Sequence, residues 1–223
     1  YDADLFDAGT VKDWTAMLVQ LLEGLADVPA HAAATTPVAL LALTPPADLT
    51  RIAAFNATAK NVPDTLVPEL FAQVAARTPD ATALVCGDEH MSYAALDAAS
   101  SQLARYLIAQ GAGPEQIVGL CLERSINMVV AILAVLKSGA AYLPLDPAHP
   151  TDRLRDMLTD SRALLLVCED AHAQTLAGIA PLILPAAPAT IAAIASLSQA
   201  PITDAERTTT LQPDNLAYLI YTS

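Results

Sequence analysis

Short apolar runs alternate with helical patterns from residue 65 to residue 223. The runs that have the length and composition of buried strands lie at residues 82–86, 117–122, 141–145, 163–167 and 216–221. Helical patterns separate most of these runs, and connections of that length join parallel strands. The sequence therefore predicts an α/β fold, with a layered, mostly parallel sheet and helices on both of its faces.

Small polar residues and glycines mark the ends of the predicted helices. We expect Ser92, Ser125 and Thr151 to cap three helices, because a hydroxyl oxygen can accept a hydrogen bond from an unpaired backbone N–H. Gly139 stands where a left-handed residue would end the second of them. Helices are predicted at residues 65–78, 93–110, 126–137 and 151–158. A turn at residues 87–88 leads to a return strand at residues 89–92.

The first part of the chain differs from the rest. Thr10 and Asp13 predict a capping box, and the apolar residues behind them recur at helical spacing as far as Pro29. Residues 29–64 are rich in Ala, Pro and Thr with little periodicity, which is typical of a linker. The predicted organisation is a leading helical segment over 1–28, a linker over 29–64 and an α/β domain over 65–223.

Charge and composition exclude several functions. Asp and Glu outnumber Lys and Arg by 24 to 11, so the formal net charge is −13. No cluster of basic residues is present to neutralise phosphates, and we expect no nucleic-acid partner. Residues 126–136 form the longest apolar stretch, and they are fewer than the roughly 20 that a membrane crossing needs. With no signal-peptide pattern visible, we expect no membrane partner and a cytoplasmic location.

The cysteines and histidines do not predict a metal site. Cys86, Cys121 and Cys168 are far apart in sequence, and each lies in an apolar, strand-like run. We expect buried, reduced thiols rather than disulfides. The four histidines, at positions 31, 90, 149 and 172, are equally scattered, so no zinc is expected.

Three segments, taken in order, resemble the first three core motifs of the adenylation domains of nonribosomal peptide synthetases. They are MSYAAL at 91–96, LKSGAAYLPLD at 136–146 and NLAYLIYTS at 215–223, with supporting stretches at 77–81, 119–125 and 144–147. Ala95 stands where the family commonly has Glu, and Ser138 where Ala is more usual. The ordered set, rather than any one motif, makes the resemblance specific to this superfamily of acyl-adenylate-forming enzymes.

The front of the chain extends the resemblance. Residues 1–7 (YDADLFD) and the helix behind them are similar to the C-terminal tail of a condensation domain, and residues 43–45 and 55–58 to the usual connector into adenylation. The condensation motif HHxxxDG is absent from the chain, so we expect no condensation activity in it. We interpret the Trp14 helix as packing within a condensation domain rather than as a handle for another partner.

The resemblance implies a reaction and its partners. Such enzymes use ATP and Mg²⁺ to activate an amino acid as aminoacyl-AMP, and then load it onto the phosphopantetheine of a carrier domain. Thr222 and Ser223 match the first hydroxyl residues of the phosphate-binding loop, although a Thr-Ser pair after a strand can also simply begin a turn. The loop's glycines and lysine do not follow, so we expect the chain by itself to be inactive and to show no ATP binding in calorimetry.

Several residues have plainer interpretations. We expect Lys137 to interact with solvent and the helix dipole rather than with phosphate. Tyr142, Pro144 and Asp146 predict a structural corner, while Glu123 and Arg124 could support a site or pair at the surface. Two alternatives stay open: an acyl-CoA or aryl-acid ligase of the same superfamily, and a non-catalytic α/β interaction module.

Overall fold

The computed structural model describes residues 1–29, 37, 41–42, 44–61 and 65–222. Contacts between residues divide the chain into two units, Tyr1–Val62 and Pro63–Ser223. Parts of the predicted linker, and Ser223, lie outside the described residues.

The first unit contains two helices, α1 (Ala8–Ala26) and α2 (Pro46–Phe55). Asp7 caps α1, since its carboxylate accepts hydrogen bonds from the backbone N–H and hydroxyl of Thr10, at 2.9 and 2.7 Å. The prediction that Thr10 itself is the cap was therefore wrong, because a carboxylate stands three residues earlier. One face of α1 is apolar and exposed, with Trp14, Leu18 and Leu22 each about half accessible to solvent.

Helix α2 lies inside the segment predicted as a linker. Its prolines suggested breaks in the chain, but Pro46 occupies the first turn of the helix, where its missing N–H costs nothing and its fixed φ favours helical structure. Asp48 in the same turn pairs with Arg51 at 3.0 Å. In a short polar segment, the sequence alone does not distinguish a proline that begins a helix from one that ends a helix.

The second unit is the predicted α/β domain. Its helices are α3 (Val67–Arg77), α4 (Tyr93–Ala109), α5 (Ile126–Ser138), α6 (Thr151–Asp160), α7 (Asp170–Ala173) and α8 (Pro188–Ala195), and a 3₁₀ turn covers Asp204–Glu206. Its strands are β1 (Thr82–Cys86), β2 (Glu89–Ser92), β3 (Ile117–Cys121), β4 (Ala141–Pro144), β5 (Leu165–Cys168) and β6 (Leu182–Ile183). Strands β1 and β2 form an antiparallel hairpin, whereas the other four form a parallel sheet in the order β4-β3-β5-β6. The predicted fold class is confirmed.

The helix starts agree with two of the three predicted caps. Ser92 and Ser125 each accept a hydrogen bond from the backbone N–H three residues later, at 3.2 Å in both cases. Gly139 ends α5 with a φ of 92°. Thr151 is instead the first residue of α6, because Pro150 occupies the cap position and its carbonyl accepts the bond from Leu154.

Apolar side chains cover both faces of the parallel sheet. Along β5, Leu165 and Val167 pack in the layer formed with α4 and α5, whereas Leu166 and Cys168 pack in the layer formed with α6. Gly119 in β3 lets α6 approach closely, since a Cβ atom there would lie only 2.8 Å from the Leu158 side chain. The alternation places one helical layer on each face, as the sequence predicts.

Lys137 is buried between α4 and α5, and the prediction that it faces solvent was wrong. The three N–H groups of its Nζ are shared among four acceptor oxygens: Asp97 Oδ1 at 2.6 Å, the Asp97 carbonyl at 2.9 Å, and the hydroxyls of Ser100 and Ser101 at 2.8 and 2.9 Å. Phe71 of α3 presents its ring 5.3 Å away. Burial lowers the pKa of Lys137, although Asp97 opposes the shift.

The connection over 199–214 is mostly exposed, but side chains of α4 and of the connection itself tie it to the helices. Arg105 of α4 pairs with Glu206 at 2.6 Å and donates hydrogen bonds to the carbonyls of Ser198, Ala200 and Pro201. Arg207 donates a hydrogen bond to the Lys137 carbonyl, 3.0 Å away at the end of α5. Two arginines therefore fasten a polar segment that has no apolar pattern of its own.

The last predicted strand, 216–221, forms only one bridge. Tyr218 lies parallel to Tyr142 of β4, with hydrogen bonds from Tyr142 N to the Ala217 carbonyl (3.2 Å) and from Leu219 N to the Tyr142 carbonyl (3.0 Å). The next bond of a parallel ladder would come from the N–H of residue 144, and proline has none. Pro144 therefore stops the pairing that the apolar pattern predicts.

We expect Lys137→Met to lower the free energy of unfolding by about 3 kcal/mol, because Asp97 and two serine hydroxyls lose their shared donor in a dry site. Urea unfolding followed by circular dichroism measures the change. Arg153→Met is the control, since Arg153 is exposed on α6 and its side chain has no hydrogen bond among the described residues. Equal effects of the two substitutions would contradict the structural role of Lys137.

Candidate functional site

Carboxylates follow three neighbouring strands at the edge of the sheet where such folds bind ligands. Glu123 follows β3, Asp146 follows β4 and Glu169 follows β5. Glu169 Oε1 accepts a hydrogen bond from the Glu123 backbone N–H at 3.0 Å, and Asp146 Oδ1 accepts one from Ala148 N at 2.9 Å. Within the described part of the chain, no group of three or more His, Cys, Asp or Glu side chains is arranged to hold a metal ion.

The residues predicted to form a corner after β4 make structural contacts. The rings of Tyr142 and Tyr218 lie 5.9 Å apart, Pro144 ends the pairing with the last segment, and Asp146 fixes the turn that leads to α6. These contacts fit the plainer interpretation of the motif. The Arg124 carbonyl lies 4.0 Å from the Cys86 thiol, which brings the end of β1 close to the segment after β3.

The predicted phosphate-binding residues lie at the end of the described chain. Thr222 is exposed and follows a segment without regular structure, and Ser223 lies outside the described residues. Just before them, the Tyr221 hydroxyl donates a hydrogen bond to Asp160 at the end of α6. Burial and this carboxylate raise the pKa of Tyr221 to about 12. The role of Thr222 and Ser223 stays a prediction.

A cavity of about 880 Å³ lies elsewhere at the sheet's carboxyl edge. It opens between α4, α5 and α8, and its mostly apolar walls include Leu122, Val130 and Ile191, with Gln102 and Glu169 among its polar groups. The strands at this cavity are β3 and β5, whereas the Thr222 segment lies beyond β4. The structure does not bring the cavity and Thr222 together, and the sequence reasoning did not find the cavity because its walls come from separate helices.

The three thiols have two different environments. Cys121 and Cys168 are buried and lie in register across β3 and β5, as expected of core cysteines. Burial raises their pKa values to about 12 and about 11, and neighbouring negative charges add to both shifts. Cys86 is exposed, which corrects the prediction for this residue: β1 belongs to a two-stranded hairpin whose strand end is not covered.

Comparison with known proteins identifies the family. A family model described as "AMP-binding enzyme" matches residues 71–223. The dimodular nonribosomal peptide synthase of Bacillus subtilis is 35% identical over the whole chain, which spans 9% of that protein. The phosphinothricin tripeptide synthetase PhsB of Streptomyces viridochromogenes is 40% identical, also over the whole chain, which spans 18% of it.

A solved structure agrees with these sequence relatives. A nonribosomal peptide synthetase crystallised with AMPPNP aligns with 98% of the chain at a TM-score of 0.76 and 28% identity, and the chain spans 22% of it. The same protein was also solved in a form bound to α-methyl-L-serine-AMP. The chain belongs to the AMP-binding enzyme family and corresponds to part of a nonribosomal peptide synthetase adenylation domain. Among its described helices, none is long and apolar enough to cross a membrane.

In the native chain we expect Cys86 to react rapidly with a disulfide reagent at about pH 8, while Cys121 and Cys168 stay protected by burial and raised pKa. Counting the released thiolate spectroscopically would give one fast thiol, and unfolding should expose all three. Cys86→Ser should abolish the fast reaction. Fast labelling of either buried cysteine in the native chain would show that the β3–β5 region opens readily.

Proposed function

We propose that the longer protein containing this chain activates an amino acid as aminoacyl-AMP and loads it onto a phosphopantetheinyl carrier domain. The match of residues 71–223 to the AMP-binding family carries this proposal. Similarity over the whole chain to peptide synthetases supports it further, because that similarity includes the segment before the adenylation region. The same observation favours a peptide synthetase over an acyl-CoA or aryl-acid ligase and over a non-catalytic module.

The proposed reaction has two group transfers. A carboxylate oxygen of the amino acid attacks the α-phosphorus of ATP, a new O–P bond forms, and the bond to the β-phosphate breaks to release pyrophosphate. The carrier thiol then attacks the acyl carbon, loses its proton, and displaces AMP. The first step depends on positioning and on donors that meet charge as it moves among phosphate oxygens.

Within this chain, Thr222 and Ser223 are the proposed phosphate contacts. Their hydroxyls can donate hydrogen bonds to phosphate oxygens without adding charge. Mg²⁺ would supply the positive charge when bound, and the described residues contain no cluster that would hold it alone. The phosphates of ATP commonly bring Mg²⁺ into such sites.

The proposed domain organisation keeps the boundaries predicted from the sequence. Residues 1–28 are assigned to the tail of a condensation domain, 29–64 to the linker and 65–223 to the first part of the adenylation domain. The exposed apolar face of α1, which includes Trp14 and Leu18, supports the first assignment because such a face is normally covered in a folded protein. Condensation and carrier domains of the same protein are the proposed partners.

In the full-length protein, Thr222→Ala should lower the rate of amino-acid-dependent exchange between ATP and pyrophosphate by about tenfold or more, through loss of a phosphate donor. Radiolabelled pyrophosphate exchange measures this rate. Thr209→Ala is a matched control, because Thr209 is exposed and its hydroxyl has no hydrogen bond among the described residues. The proposed function falls if the wild-type protein shows no exchange with any amino acid.

A further inference from the structure

The turn after α4 has a glutamate where a glycine is expected. Gln116 N donates a hydrogen bond to the Gly113 carbonyl at 3.0 Å, which closes a four-residue turn with Pro114 at its second position. Glu115, at the third position, has a φ of 64°. A turn with proline second and a positive φ third is of type II, and its third position favours glycine because a side chain strains the backbone there.

The side chain of Glu115 makes contacts that a glycine could not make. Its Oε1 atom accepts a hydrogen bond from Asn215 Nδ2 at 2.8 Å and one from the Leu216 backbone N–H at 3.3 Å. Asn215 is itself oriented, because its Oδ1 accepts a hydrogen bond from Gln212 N at 2.7 Å. The strained residue thus holds the first two residues of the segment that leads to Thr222.

The hydrogen bonds of Glu115 matter because few backbone hydrogen bonds join the same segment to the sheet. Between residues 215 and 222 only the two backbone bonds at Tyr142 join the segment to β4, since Pro144 cannot donate the next one. A strand with so few ladder bonds has a poorly specified register. Glu115 adds an attachment at the start of the segment, while the Tyr221 hydroxyl, bonded to Asp160, attaches its end.

The same turn also contacts the connection over 199–214. A Cβ atom on Gly113 would lie 1.9 Å from the Thr208 hydroxyl oxygen, so the two residues are in close contact. Upstream, Arg105 holds Glu206. The chain from residue 206 to residue 216 is therefore led back to the sheet along α4 and the turn that follows it, where Glu115 attaches residues 215 and 216.

We propose that Glu115 is a positioning residue for the ATP phosphates: it fixes the register of residues 215–221 and so places the Thr222 hydroxyl. The inference rests on the proposed function. Glu115 is not itself in contact with a substrate in this scheme. Its effect passes through Asn215 and Leu216 to the end of the segment, and its backbone strain is maintained by these hydrogen bonds.

The test uses the full-length protein as wild type and as the variants Glu115→Gly, Glu115→Gln, Asn215→Ala, the combination of Glu115→Gly with Asn215→Ala, and the control Glu89→Gln. Glu115→Gly removes the acceptor while relieving the turn, so a loss of function cannot be ascribed to a worse turn. We expect it to raise the KM for ATP by about tenfold, with the KM for the amino acid little changed. Glu115→Gln keeps an acceptor oxygen, so its KM for ATP should stay close to that of the wild type.

Hydrogen exchange of the peptide covering residues 212–222 provides a readout besides activity. We expect faster exchange of the Leu219 amide in Glu115→Gly and in Asn215→Ala, and no further increase when the two are combined, since both remove the same interaction. Glu89→Gln is a control, because Glu89 is exposed on β2 and its side chain has no hydrogen bond among the described residues.

Each outcome decides between the hypotheses. Unchanged exchange at residues 212–222 in Glu115→Gly would overturn the anchor, whether or not the enzyme is active. Faster exchange with an unchanged KM for ATP would overturn the positioning role and leave a purely structural one. If the wild-type protein activates no amino acid, the proposed function fails, while the exchange data still report on the anchor.

Discussion

The ammonium group of Lys137 joins the helices that cover one face of the sheet. It is almost completely buried, yet hydrogen bonds to Asp97, Ser100 and Ser101 satisfy it. A charge in such a place is stable only with this full set of acceptors. The pairing fixes how α5 lies along α4, and the carbonyl of the same Lys137 receives Arg207 at the end of α5. The course of the later chain therefore depends on this contact.

The polar connection after residue 197 has no apolar core of its own. Arg105 and Arg207 are both largely buried at their side chains, and each fastens a part of the segment after residue 197 to α4 or α5. Glu206 shows the balance of forces: burial alone would raise its pKa, but the Thr203 backbone N–H and Arg105 hold it below its usual value. Hydrogen bonds and ion pairs thus hold this connection in place, whereas apolar packing holds the helices on the sheet.

The sequence predicted what depends on local pattern and missed what depends on distant partners. Strands β3 to β5 and helices α4 and α5 were found because apolar periodicity, Ser92, Ser125 and Gly139 specify them locally. The burial of Lys137 was missed, because its acceptors lie 36 to 40 residues earlier in the chain. The last strand was overpredicted for a similar reason: its pattern is strand-like, but Pro144 on the neighbouring strand ends the ladder. For the site, the motif named Thr222 and Ser223, whereas nothing in a single local pattern pointed to Glu115.

Electrostatics limits how a nucleotide could bind at this end of the sheet. Glu123, Asp146 and Glu169 follow adjacent strands, and their negative charges add to the burial that raises the pKa of Cys121. Like charges would repel a triphosphate there. A phosphate group bound at this edge would need cations or backbone N–H groups to offset these charges. The Thr222 segment lies beside β4, on the other side of that strand from β3 and β5, so Asp146 is the carboxylate that follows its neighbouring strand. In the proposed function, the Thr222 hydroxyl would orient a phosphate oxygen without neutralising its charge. The position of that hydroxyl, and therefore the register at residues 215 and 216, is then the property that matters.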